Sequence, residues 1–94
     1  MGTSNPALLI REMVRMSAHS LVLARAEALA VSSVRQTECT DRATVDAVIR
    51  AALHVHGGVR GCAAALAQAF GDHPEIAAPR MRWARQTVSA LYAA

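Results

Sequence analysis

Nowhere in this sequence do apolar and polar residues alternate for long enough to make a strand, whereas helical spacing recurs along it. The cleanest case lies in the middle. Val45, Val48, Ile49, Ala52, Leu53 and His56 follow the i, i+3, i+4, i+7, i+8 rule of an amphipathic helix, predicted over 41–56. Thr40 or Asp41 caps its start, and Gly57-Gly58 stops it in a left-handed turn. A helix over 6–31 is announced by Asn5 as N-cap and Pro6 in the first turn, where a missing N–H costs nothing. After a polar loop, 32–40, the spacing predicts a third helix over 59–70, with Val59, Cys62, Ala63, Leu66 and Phe70 inward and Gly71 as its stop. Asp72 and Glu75 then have capping-box spacing, with Pro74 fitting in that first turn, and Pro79 predicts a break or kink at Ala78–Pro79 before a last helix over 79–92. On that last helix Met81, Ala84, Val88, Leu91 and Tyr92 share the apolar face. The expected fold is all-α: a small bundle of four or five helices in a single domain, residues 1–94.

The first helix raises a question of length. Leu9, Ile10, Met13, Val14, Met16, Leu21, Leu23 and Ala24 fall on one half of its cylinder, with Arg11, Arg15 and His19 opposite. Further on the phase slips, so that Glu27 lands on the apolar side and Leu29 on the polar side. Unbroken to Val34 it would be about 43 Å long, against a radius of gyration of about 12 Å for a domain of this size. Either the helix kinks near residues 24–28 or it projects and packs along a partner.

Composition favours the partner. Hydrophobic residues make up 53% of the chain, but aromatics only 3%, and alanine, which buries little area per residue, supplies much of the rest. A core of this kind is thin, and self-association is a usual remedy. The expected assembly is a homodimer, with Met13, Met16, Leu21, Leu23 and Trp83 as its interface candidates.

Several functions find little support. The acids are scattered, no Ser or Cys sits in a nucleophile motif, and no glycine-rich loop follows a strand, so the chain reads as a non-enzyme without a cofactor. His54, His56, Cys62, His73 and Cys39 match no metal-ligand spacing; His54 and His56, two apart, face nearly opposite ways on a helix. The first apolar run, 7–10, is too short for a signal core or a membrane span. With two cysteines and no secretory signal, the expectation is a cytoplasmic protein with reduced thiols and no membrane association.

The chemistry that remains is basic. Net charge is +3, all ten basic residues are arginines, and Arg80, Arg82 and Arg85 fall together without an acid between them. Arg82, Arg85, Gln86 and Ser89 lie opposite the apolar face of the last helix, with Arg80 at the margin. Trp83 falls roughly 130° from the centre of that face. It packs on the first helix or across a dimer interface, or it joins the arginines in a binding surface. The stretch 66–85, LAQAFGDHPEIAAPRMRWAR, resembles the helix-turn-helix of the fourth region of bacterial sigma factors: Ala67 and Gly71 in the first part, Arg80, Met81, Ala84 and Arg85 in the second. The resemblance implies that Asp72 to Arg85 enters the major groove and that Arg82 and Arg85 meet phosphates or base edges. Two functions stay open: a DNA-binding or transcription-associated regulator using Arg80, Arg82, Arg85 and Gln86, or a homodimeric helical module that binds a protein partner without DNA.

Overall fold

The computed structural model describes residues 20–93, and among them the chain is helix and loop with no strand. Helix α1 covers 20–31, α2 Arg42–His56, α3 Val59–Asp72 and α4 Pro74–Tyr92; a 3-10 turn, Gln36–Glu38, interrupts the loop after α1. The helix opening at Asn5 and Pro6, the stripe from Leu9 to Met16 and the interface candidates Met13 and Met16 lie outside the described residues.

The ends of α2 are set as its sequence predicts. The Asp41 carboxylate accepts the Thr44 N–H at 2.7 Å, so Asp41 rather than Thr40 is the cap, and that bond holds its carboxyl below the ordinary range. At the other end Gly57 is left-handed, with φ 79° and ψ 36°, and the N–H groups of Gly57 and Gly58 both bond the Leu53 carbonyl. Val45, Ile49 and Ala52 are buried along the stripe.

The junction of α3 and α4 differs from expectation in three respects. Gly71 does not stop α3: it is helical with no positive φ, and the helix runs on through Asp72. Asp72 is therefore the last residue of α3 and caps nothing. Pro74 sets the boundary instead, because its ring disfavours helical backbone in the preceding residue. His73 accordingly extends to φ −143°, closes α3 through its N–H to the Ala69 carbonyl, and receives the Ile76 and Ala77 N–H groups that open α4. Nor does Pro79 break the chain: α4 is continuous from Pro74 to Tyr92 with Pro79 inside it. Proline there denies a partner to the carbonyl four residues back, Glu75. Both residues are exposed, so water can take that bond.

Each helix contributes to one core: Ala26, Ala28, Leu29 and Ala30 from α1, Val45, Ile49 and Ala52 from α2, Cys62 and Leu66 from α3, Met81, Ala84 and Val88 from α4. Ala26 (1% exposed) and Ala28 (0%) lie about 200° apart around α1. This part of α1 is thus covered on two sides, which only small side chains allow. The backbone stays helical through 24–28. The phase slip turns Leu29 into the core, and Leu21 and Leu23 of the expected apolar face are exposed, as is Val22 between them. Val59 and Phe70, expected inward on α3, are exposed too. Val59 opens α3 and Phe70 lies in its last turn, whereas the buried Cys62 and Leu66 lie between them.

The α2–α3 turn is held by a close approach. Gly61, in the first turn of α3, lies so near the end of α2 that a Cβ there would overlap the His56 carbonyl oxygen.

Candidate functional site

Arg80 has a structural task. It lies near the middle of α4 and reaches the C-terminal end of α1. Its Nε donates to the Ala30 carbonyl at 2.9 Å, and Nη2 donates to the carbonyls of Ser32 at 2.9 Å and Val34 at 2.8 Å. The Ala30 carbonyl is one of those that the end of α1 leaves without an internal partner, and the other two belong to the loop that follows it. The guanidinium also stacks on Trp83, 4.8 Å from the ring centroid, and burial lowers its pKa. Trp83 itself is half-buried against the core. Of the proposed nucleic-acid contacts, Arg80 is therefore engaged inside the fold, while Arg82, Arg85 and Gln86 are exposed. At i, i+3 and i+4 those three share one side of α4.

A second basic feature went unnoticed in the sequence. Arg25 from α1 and Arg42 from α2 both stack on the Tyr92 ring, at 4.2 and 4.6 Å from its centroid. The Tyr92 hydroxyl donates to Asp46, and burial together with that carboxylate pushes its pKa up to about 12. This cluster borders a groove of about 340 Å³ lined, among the described residues, by Leu21, Arg25, Arg42, Arg50, Val59 and others. Three arginines against Asp46 leave a local charge of about +2. Among the described residues the one ion pair within 4 Å is His73–Glu75, so no carboxylate there pairs with these arginines. A sequence signal existed: Arg42, Asp46 and Arg50 are spaced i, i+4, i+8, along one face of α2. Arg25 and Tyr92 gave no comparable signal, since they come from distant helices.

The opposite end of α3 carries a contrasting patch. Phe70, Asp72, Glu75 and Ile76 are all exposed around the α3–α4 junction, Ile76 at 63%. His73 Nδ1 lies 3.5 Å from Glu75 Oε1, with both side chains well exposed.

Among the described residues no three of His, Cys, Asp and Glu converge as a metal site would require. Cys62 donates to the Ala52 carbonyl at 3.7 Å, and burial raises the pKa of Cys39 and Cys62; both are free thiols. No described helix is long and apolar enough to cross a membrane. The chain matches no protein-family model, and neither curated proteins nor solved structures give a significant match.

Proposed function

We propose that this chain is a small, non-catalytic helical interaction module that works in the cytoplasm as a self-associated adaptor or regulator. The observation that carries the reading is the division of its large apolar side chains between core and surface. Leu29, Val45, Val88 and Cys62 are the largest fully buried ones, while Leu21, Val22, Leu23, Val55, Val59, Phe70 and Ile76 stand exposed. Exposed apolar surface of this kind is typical of contact sites when it gathers into patches. Light scattering over a concentration series tests it. The expected result is a mass above that of the monomer by high micromolar concentration; a constant monomer mass would remove the reading.

A second reading, binding of duplex DNA by α4, is favoured by the exposed row Arg82, Arg85 and Gln86. It ranks second because a recognition helix meets bases with its N-terminal residues, and here that end carries Glu75 beside Asp72. If α4 does bind DNA, Arg82→Ala and Arg85→Ala should each reduce the salt dependence, log Kd against log salt, by roughly 0.9 for each lost phosphate contact. Folded protein that shows no affinity for random duplex at low salt would exclude it.

A further inference from the structure

We propose that the basic groove between α1, α2 and the end of α4 receives the acidic α3–α4 corner of a second copy of this chain. The inference rests on the self-association reading and names its surface.

The two patches match in kind and oppose in sign. The groove is concave, with Arg25, Arg42 and Arg50 facing apolar side chains that include the half-exposed Leu21 (50%) and Val59 (52%). The corner is a helix junction at which two exposed acids, Asp72 and Glu75, lie within a few residues of two exposed hydrophobes, Phe70 and Ile76. Glu75 has one described ionic contact, to His73, and an exposed pair of that sort holds it weakly. A nucleic-acid backbone would meet the arginines but would leave Leu21 and Val59 in water.

The corner that fills the groove must come from another molecule. Helix α3, 14 residues long, begins at Val59, in the groove, and ends at Asp72, in the corner. At 1.5 Å per residue the two lie about 20 Å from each other on a rigid element. No chain can fold its corner into its own groove. Two reciprocal contacts about a two-fold axis would close a dimer, and a contact that does not close would build longer assemblies.

The test uses the full chain and two charge reversals at exposed positions, Arg50→Glu and Glu75→Arg. Arg50 makes no hydrogen bond or stacking contact in the described fold, and far-UV circular dichroism checks that both variants stay helical. Each variant alone is expected to self-associate at least tenfold more weakly than the wild type in sedimentation experiments. An equimolar mixture of the two is expected to recover most of the wild-type association, because in one contact Arg50 meets Glu75 as in the wild type and in the other the two reversed charges again oppose each other. Single variants that associate as tightly as the wild type would overturn this surface while leaving self-association standing. Weakened singles whose mixture gains nothing would overturn the pairing of groove with corner. A wild type that stays monomeric would overturn both this inference and the reading beneath it.

Discussion

Gly61→Ala should be the most damaging single-methyl substitution in the protein, lowering stability by about 3 kcal/mol or more. That is the upper range for overpacking, because the atom in the way is backbone rather than a movable side chain. The new Cβ would overlap the His56 carbonyl oxygen, so the end of α2 and the start of α3 would have to separate. Separation there also disturbs the Leu53 carbonyl, which takes both glycine N–H groups of the turn. Domains of this size have a net stability of about 5–15 kcal/mol, so the loss is a large fraction of the total. With an m value of about 1–3 kcal/mol/M, the urea midpoint should fall by about 1–3 M. Gly71→Ala is the matched control. Gly71 is helical, has nothing within 4 Å of a new Cβ and no positive φ, so alanine there should stabilise by about 0.5–1 kcal/mol. If the two substitutions shift the midpoint equally, close helix approach is not what Gly61 provides.

Arg80→Ala should cost about 3 kcal/mol, the second largest effect. Hydrogen bonds from a charged group contribute about 1.5–3 kcal/mol each but do not add fully, and removing the donor strands one carbonyl in the last turn of α1 and two in the loop after it. Arg80→Lys keeps the charge but not the fork that spans Ala30, Ser32 and Val34, so it should recover less than half the loss. Trp83 is the sole tryptophan and lies under the guanidinium, so its emission should shift in both variants under native conditions. Wild-type stability in Arg80→Ala would show that α1 is held by apolar packing alone.

The fold was legible where local chemistry decides it. Asp41 and Gly57 bracket α2 because capping and left-handed turns depend on residues a few positions apart. The start of α4 is not legible in the same way, because two prolines compete in the stretch after Gly71. Pro79 looks like a breaker in isolation, but Pro74 sits next to a residue that can extend, and packing of Ala77, Met81, Ala84 and Val88 carries the helix past Pro79. The spacing puts Leu21 and Leu23 on an apolar face, and the phase slip near Glu27 gives no sign of which half meets the core. The alanines at 26, 28 and 30 decide it by letting that half sit between other helices. Arg80 read as a free cation because its acceptors are main-chain carbonyls, which leave no trace in a sequence. The cluster around Tyr92 stayed hidden for a related reason: its parts come from three helices that meet only in the fold.

The grip of Arg80 on the end of α1 bears on the order in which the chain assembles. Its acceptors lie 46 to 50 residues earlier, whereas α2, α3 and α4 are joined by connections of two residues and one. Short connections close at little entropic cost, and a long loop must be closed before α1 gains anything from docking. The three C-terminal helices should therefore form first, with α1 arriving after the rate-limiting barrier. Loss of the Arg80 contacts would then leave the folding rate nearly unchanged and speed unfolding by most of the stability lost. About 3 kcal/mol taken wholly from that side shortens the native lifetime by roughly a hundredfold. One guanidinium, far from any helix end of its own, acts as the clock of the folded state.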